Sequence, residues 1–275
     1  SGSVPYQLYV RDPEYGLADI LKSQGYYTIA MHPNKAHNWN RASVYPCMGF
    51  DEFISLENWG EEHRELLRNY VSDKATFEKI ISLYEEKDAD EKLFTFCVTM
   101  QNHGGYTEKY DNFDEKARML GINYPDVNQY LSLIHESDSA LEYLISYFEK
   151  VDDPVEIVFF GDHQPNDTVA SVVENGAQVE TQKRYLVPYL VWSNYGIEGA
   201  KDKNTSLNYL AAQVLTAAGV PTNAYQNYLL SLSKTYPVIS AAGQTKGIGA
   251  DEKQLQTYKK LQYYQLFEKN KEKDE

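Results

Sequence analysis

Four short hydrophobic runs, each bounded by polar residues or by Gly and Pro, predict the strands of a sheet. They lie at residues 26–31, 93–100, 155–160 and 186–192. Apolar residues that recur at helical spacing predict helices around these strands. The predicted helices are residues 17–24, 61–70, 73–86, 130–150, 206–219 and 251–269, and residues 220–250 are predicted to be irregular. This order predicts an α/β fold with a mixed, mostly parallel central sheet flanked by helices.

Two acidic residues of the predicted helices have structural interpretations. Asp73 is predicted to cap the amino end of helix 73–86. Asp138 interrupts the apolar stripe of helix 130–150 and is predicted to face inward. A buried carboxylate there needs a partner, and we favour a structural hydrogen bond.

Polar side chains follow three of the predicted strands. His32 follows the first strand, His103 the second, and Asp162 with His163 the third. Because the carboxyl ends of parallel strands meet at one edge of a sheet, we expect these groups to share a site. Asp162 and His163 could supply two ligands to one divalent metal. The alternative is that the aspartate caps the next element and the histidines are ordinary loop residues.

The loop after the first strand contains Trp39 and Arg41. A guanidinium group is suited to binding phosphate or sulfate oxygens, and an indole can form an apolar wall of a binding site. Two structural roles remain open for these residues. Arg41 could form a surface salt bridge, and Trp39 could be a packing anchor.

Composition narrows the class of protein. The 275 residues are enough for one large α/β domain or two small ones. A net charge of −14 argues against nucleic acid as a partner and against direct binding to an anionic bilayer. Cys47 and Cys97 fit neither a disulfide framework nor a zinc site. No run of about 18 apolar residues is present, so no membrane span is predicted, and no signal peptide is recognised.

Three sequence motifs resemble those of one known family. They are His-Pro-Asn-Lys-Ala-His-Asn-Trp-Asn-Arg at 32–41, Thr-Met-Gln-Asn-His-Gly at 99–104 and Phe-Gly-Asp-His-Gln-Pro at 160–165. Their types and order resemble the lipoteichoic acid synthase and phosphoglycerol transferase group of the sulfatase/alkaline phosphatase superfamily. The resemblance implies a sulfatase-like catalytic domain over residues 1–268, incomplete at its amino end, and a charged tail over 269–275.

The resemblance also implies roles for the residues after the second and third strands. Asp162 and His163 would be two ligands of a divalent metal, manganese or magnesium. His103 would contact the phosphoryl group or protonate a leaving oxygen.

The substrate implied by the resemblance is the headgroup of a phosphatidylglycerol-type lipid. Trp39 and Arg41 would hold the phosphoglycerol group, with His32 nearby and His103 in contact with it. The reaction would transfer phosphoglycerol through a covalent intermediate on a threonine. It would take place at the extracellular face of the membrane, where upstream membrane helices anchor the full-length protein and this chain is its soluble part.

One departure from the family pattern changes the expectation for this chain. The family's nucleophilic threonine and an acidic metal ligand lie upstream of the motif at 32–41, and this sequence contains neither at the corresponding place. We therefore expect the chain to be inactive alone and to bind metal weakly. The alternatives are a sulfatase, a phosphodiesterase or a phosphoethanolamine transferase on the same fold, or a non-catalytic binding module.

Overall fold

A computed structural model describes residues 5–165, 169–170, 172, 184–199, 201 and 203–268. In that part of the chain the helices are α1 (Pro5–Tyr9), α2 (Leu17–Lys22), α3 (Arg41–Cys47), α4 (Asp73–Glu86), α5 (Pro125–Phe148), α6 (Leu207–Ala217), α7 (Ala224–Thr235) and α8 (Glu252–Phe267). The strands are β1 (Tyr26–His32), β2 (Glu52–Ser55), β3 (Leu66–Leu67), β4 (Tyr70–Val71), β5 (Lys92–Cys97), β6 (Glu156–Phe160), β7 (Tyr189–Ser193), β8 (Val238–Ser240) and β9 (Gly243–Thr245). The predicted tail at 269–275 lies outside the described residues.

The central sheet has three strands in the order β2-β1-β5. The backbone N–H of Val98, just after β5, donates to the carbonyl of Met31 in β1 at 3.0 Å, so the carboxyl ends of these two strands lie together. The other strands form the antiparallel pairs β3–β4, β6–β7 and β8–β9. The predicted α/β fold, with a parallel central sheet and flanking helices, is confirmed.

The chain divides into two compact units. One comprises residues 1–28, 37–53 and 196–275, and the other comprises residues 29–36 and 54–195. In the first, α6, α7 and α8 enclose a core that includes the buried rings of Tyr209, Tyr236 and Tyr258. Each tyrosine contributes a large apolar area, which stabilises the three-helix packing.

Helix α4 carries much of the second unit's core. Phe77 and Ile81 are buried in a cluster against which Ile157 of β6 packs. Ile80, on the same helix, also packs against the cluster to which Leu93 of β5 belongs. The helix therefore contributes to hydrophobic clusters that include residues of both β5 and β6, although these strands belong to separately hydrogen-bonded sheets. All β5 side chains after its first residue are half-buried.

The prediction of a helix over residues 61–70 is wrong. The described structure has a hairpin there, in which Leu66 pairs with Val71 and Leu67 with Tyr70. Its turn contains Arg68 in the left-handed region at φ 57°. The sequence lacks the Gly or Asn-Gly that usually marks such a turn. Long-range contacts of the Arg68 side chain stabilise it instead, and these are invisible to a local pattern.

The segment 220–250, predicted to be irregular, contains α7 and the β8–β9 hairpin. The side chain of Asn223 caps α7 by accepting a hydrogen bond from the backbone N–H of Gln226 at 2.9 Å. Leu229 and Leu232 then bury the inner face of the helix. The Pro and Thr residues before this cap led the sequence interpretation to extend the loop too far.

Two details of α4 and α5 also differ from the prediction. Ser72 is the cap of α4, accepting a hydrogen bond from the Ala75 backbone N–H at 3.0 Å, and Asp73 is the first helical residue. Asp138 is exposed, and the polar residue that faces inward on this turn of α5 is Ser137. Leu133, Leu144 and Phe148 of the predicted stripe are buried, whereas Ile134, which the prediction also included, is exposed.

Candidate functional site

The edge formed by the ends of β1 and β5 is closed by a buried histidine. His32 is the last residue of β1, and its Nδ1 lies 2.8 Å from the carbonyl oxygen of Val98. This contact and the Val98-to-Met31 backbone bond hold the two strand ends side by side. The polar residues that follow β5 therefore begin at the same edge as His32.

His103 lies on a tight turn that Arg68 organises. One guanidinium nitrogen of Arg68, Nη2, donates to the carbonyls of Gln101 and His103, both at 2.8 Å. The other, Nη1, donates to the carbonyl of Gly105 at 3.1 Å and to the side chain of Gln129 at 3.2 Å. Three carbonyls of one turn thus converge on one cation, while the His103 ring remains exposed.

Aromatic rings surround the Arg68 guanidinium. Its Cζ lies 5.6–5.9 Å from the ring centroids of Tyr70, Tyr106 and Tyr110, which is cation–π range. The Tyr70 hydroxyl also lies 3.4 Å from His103 Nδ1. Burial lowers the pKa of Arg68 from its ordinary value, but a guanidinium stays charged in proteins.

A buried polar network lies beneath this turn. The Asp73 carboxylate accepts a hydrogen bond from Ser137 Oγ at 2.5 Å, and Ser137 Oγ accepts from Asn102 Nδ2 at 2.7 Å and Gln101 Nε2 at 3.1 Å. Gln101 is also bound to α4: its Oε1 accepts a hydrogen bond from the Asp73 backbone N–H at 2.9 Å. Burial raises the pKa of Asp73, despite the hydrogen bond from Ser137.

Trp39 and Arg41 lie in the other compact unit, on a strained segment. Trp39 and Asn40 have φ values of 58° and 57°, in the left-handed region that residues other than Gly rarely adopt. Trp39 is 50% exposed and stacks on Tyr6, with 6.5 Å between ring centroids. Arg41 is only 8% exposed, and its Nη1 donates to the Asn38 carbonyl at 3.1 Å. Among the described residues, its Nε has no hydrogen-bond partner.

Asp162 and His163 follow β6 at the surface. Their side chains are 75% and 64% exposed, and His163 Nε2 lies 3.6 Å from Asp162 Oδ2. His163 Nδ1 is 2.8 Å from the carbonyl of Gln164, whose own side chain donates to the Leu186 carbonyl. An aspartate oxygen and an imidazole nitrogen are suitable donors for a divalent metal. However, the described residues contain no cluster of three or more such groups, so the pair fits as part of a ligand set.

The hydrogen bonds bring His32 and the residues after β5 to one edge, but they do not connect that edge to Asp162 and His163. The ends of β1 and β5 are joined directly, whereas β6 is hydrogen-bonded to β7. Sequence analysis missed Arg68, which belongs to none of the three motifs, and it assigned no role to Gln101, although Gln101 lies within the motif at 99–104. A buried arginine in a predicted helix offers no signal before the turn it occupies is known.

Among the described helices, none combines the length and the apolar character that a membrane span requires.

Comparison with known proteins supports the resemblance drawn from the motifs. Phosphoglycerol transferase GacH of Streptococcus pyogenes, solved in complex with sn-glycerol-1-phosphate, aligns with a TM-score of 0.66 and 22% identity over 94% of this chain and 71% of that one. Lipoteichoic acid synthase LtaP of Listeria monocytogenes aligns with a TM-score of 0.64 and 19% identity over 81% of this chain and 57% of that one. At these identities, the two structures demonstrate a shared fold.

A similarity to curated sequences is also present. The capsular polysaccharide biosynthesis protein RkpI of Rhizobium meliloti is 32% identical over 163 residues, which cover 57% of this chain and 28% of that protein. This chain spans between 22% and 39% of the length of the curated relatives that it matches. The model of the Sulfatase family matches residues 2–220 of this chain. Since this match covers well over half of the chain, the chain belongs to the sulfatase family.

Proposed function

We propose that the protein containing this chain transfers phosphoglycerol from a phosphatidylglycerol-type lipid, with the help of a divalent metal, manganese or magnesium. The observation that carries the proposal is Arg41. It is a buried cation on a strained segment, and the described residues give it no carboxylate partner. An unpaired buried charge is unfavourable, and a phosphate group would pair with it through two parallel hydrogen bonds.

The second support is the neighbouring indole. Trp39 exposes half of its surface although it is large and apolar, and its backbone is held in a disfavoured conformation. Strain of this kind is concentrated at functional sites. A half-exposed indole beside a buried arginine suits a glycerol moiety attached to a phosphate, since the ring covers carbon while the guanidinium binds oxygen.

His103, Asp162 and His163 then divide the chemistry at the phosphorus atom. The exposed His103 ring contacts a phosphoryl oxygen or gives a proton to the diacylglycerol oxygen as its bond to phosphorus breaks. Asp162 and His163 would hold the metal, which would neutralise charge on the phosphoryl oxygens. Arg41 and Trp39 orient the headgroup, with His32 shaping the edge of the site.

The nucleophile in this proposal is a threonine on polypeptide outside this chain. One feature of the fold supports it. Helix α4 shares hydrophobic clusters with residues of both β5 and β6, yet each of these strands ends its own sheet in the described structure. A further strand between them would join the two sheets, and the residue after it would lie between His103 and Asp162. We place the reaction at the extracellular face of the membrane, with the anchor also outside this chain.

The test is headgroup transfer by the complete protein in lipid vesicles. We expect release of diacylglycerol from labelled phosphatidylglycerol, and its loss in Trp39→Ala and Arg41→Gln. Arg11→Gln is the matched control, since Arg11 is exposed in the same compact unit. Turnover of phosphatidylethanolamine or of a sulfate ester instead would assign one of the related activities. Headgroup binding without turnover by the complete protein would indicate a non-catalytic module.

A further inference from the structure

The β3–β4 hairpin places an arginine at a backbone position that does not suit it. Leu67 pairs with Tyr70, so Arg68 and Asn69 form a two-residue turn. Arg68 has φ 57°, which is the left-handed region. Such turns strongly favour Gly, Asn or Asp because a larger side chain is strained there. The arginine is therefore retained against a local conformational preference.

The side chain shows what compensates for this strain. Arg68 is 3% exposed and points into the turn that carries His103. Its two terminal nitrogens donate to the carbonyls of Gln101, His103 and Gly105 at 2.8–3.1 Å. A planar fork with several fixed donors can satisfy three converging carbonyls at once, whereas the single ammonium group of a lysine cannot match this geometry.

The charge of Arg68 is not neutralised by its described surroundings. Its contacts there are carbonyl oxygens, the Gln129 amide and three tyrosine rings, and none is a carboxylate. A buried cation with neutral partners projects a positive potential towards the nearest solvent. The His103 ring is exposed and belongs to the turn whose carbonyls bind Arg68, so a ligand that contacts this ring approaches that charge.

We propose that Arg68 is a positioning residue for His103. It fixes the 101–105 turn through its backbone contacts, and it supplies a positive charge that attracts a phosphoryl oxygen to the His103 ring. Tyr70 completes the arrangement, since its hydroxyl lies beside His103 Nδ1 at 3.4 Å and leaves Nε2 to face the ligand. The attraction of a phosphoryl group rests on the proposed function, whereas the fixing of the turn does not.

The first experiment measures the turn alone. The His103 backbone N–H donates to the Met100 carbonyl at 3.0 Å, so its hydrogen exchange reports on the order of the turn. In Arg68→Gln and in Arg68→Lys we expect His103 exchange to accelerate about tenfold or more, while amides in α5 stay protected. Arg64→Gln is the control, since Arg64 is a neighbouring arginine that pairs with Glu61 and the Leu56 carbonyl. Unchanged exchange at His103 would overturn the proposal.

The second experiment measures the charge, with inorganic phosphate as the probe and the His103 resonances as the readout. We expect Arg68→Gln to weaken phosphate binding about tenfold, and Arg68→Lys to recover part of that loss because it keeps the cation. A merely structural role would leave both variants equally impaired. Failure of His103 to respond to phosphate in the unmodified chain, or no recovery by lysine, would overturn the role of the charge.

Tyr70→Phe keeps the proposal testable if the Arg68 variants fold poorly. Phenylalanine preserves the ring packing and removes the hydroxyl beside His103. We expect the His103 ring resonances to move while the exchange rate of its backbone amide stays the same. Ring resonances that do not move would contradict the placement of Tyr70. If all these results hold but the complete protein transfers no phosphoglycerol, the proposed function fails and the positioning of His103 stands.

Discussion

The ends of β5 and β6 both lead to a histidine, but the two ends are built differently. After β5, Gln101, Asn102 and the His103 turn are tied by side chains from the β3–β4 hairpin, α4 and α5. After β6, Asp162 and His163 are exposed and contact mainly each other and the next residue.

The two strand ends differ in how their side chains are held in place. At the end of β5, buried hydrogen bonds within this chain fix the backbone of the turn that carries His103, as pre-organised sites require. At the end of β6, two exposed donors lie near each other, and the described residues give them few other side-chain contacts, whereas ligating groups are normally held by a shell of such contacts. Under the proposed function, we infer that contacts within this chain order the β5 end, whereas the β6 end gains its order when metal and further ligands bind.

The largest expected effect belongs to the β6 end, in the complete protein. Asp162→Asn should lower the transfer rate by about a thousandfold or more, because an amide is a poor metal ligand and the phosphoryl charge loses its stabilisation. The measurement is the initial rate of headgroup transfer in vesicles at saturating manganese. Asp152→Asn, at an exposed aspartate before β6, should leave the rate unchanged. Normal turnover by the Asp162 variant would exclude its role as a ligand.

Alanine substitutions of Gln101, after β5, and of Gln164, after β6, compare how much each strand end contributes to the free energy of unfolding. Gln101→Ala should lower the free energy of unfolding by about 3 kcal/mol, because it deletes a buried side chain, leaves the Asp73 backbone N–H without its acceptor and removes the hydrogen bonds to Leu133 and Ser137. Gln164→Ala should cost less than about 0.5 kcal/mol, as is usual near the surface. Urea unfolding of both variants measures the difference. Equal losses would mean that the β6 end is as firmly built as the β5 end.

Asp73 provides a test of the buried network through pH. Burial raises its pKa in the folded chain, so the unfolded chain releases this proton first as the pH rises. The contribution of Asp73 to stability should therefore fall from about pH 4 up to its folded pKa and then stay level. Asp73→Asn should remove that fall, because an amide has a similar shape and can present its oxygen to Ser137 without ionising. The measurement is the urea midpoint across pH 4 to about 9.

Asp153 is the control of opposite sign for this pH series. Hydrogen bonding to Lys87, with Tyr84 beside it, lowers the pKa of Asp153. Its contribution to stability is present above the ordinary carboxyl pKa and is lost as the pH falls through the lowered value. Asp153→Asn should thus remove a small stabilisation near neutral pH. If Asp73→Asn, like Asp153→Asn, is less stable than the wild type above pH 4, the ionised Asp73 carboxylate stabilises the folded state, and the expected direction of its pKa shift is wrong.

The sequence predicted those parts of this molecule that have local signals. Strands β1, β5, β6 and β7 follow from short apolar runs, helices α4, α5, α6 and α8 follow from helical periodicity, and three of the strand ends follow from the polar residues after them. The hairpin at 66–71 could not be predicted, because its turn is stabilised by contacts of Arg68 with residues more than thirty positions away. For the same reason the sequence named His103 but not the arginine that holds it.

Asp138 illustrates a limit of periodicity itself. The predicted stripe of α5 included Ile134 and thereby turned Asp138 inward, whereas Ile134 and Asp138 are both exposed. Successive residues of a helix are about 100° apart, so a stripe widened to include Ile134 extended onto the face of Asp138. The inner position belongs to Ser137, whose hydroxyl joins the network beneath the His103 turn. The sequence contained the right residue types, but only the packing identifies which face is buried.

The smallest expected effect is metal binding by this chain alone, and it tests the β6 end directly. Asp162 and His163 supply two donors, and a divalent metal bound tightly by a protein generally has three or more ligands from it. Calorimetric titration with manganese should therefore give little heat and a Kd weaker than about 1 mM, equal in wild type and His163→Ala. Tight binding that His163→Ala abolishes would mean that the chain completes the ligand set itself. The β6 end would then be as pre-organised as the β5 end, and the contrast between the two would disappear.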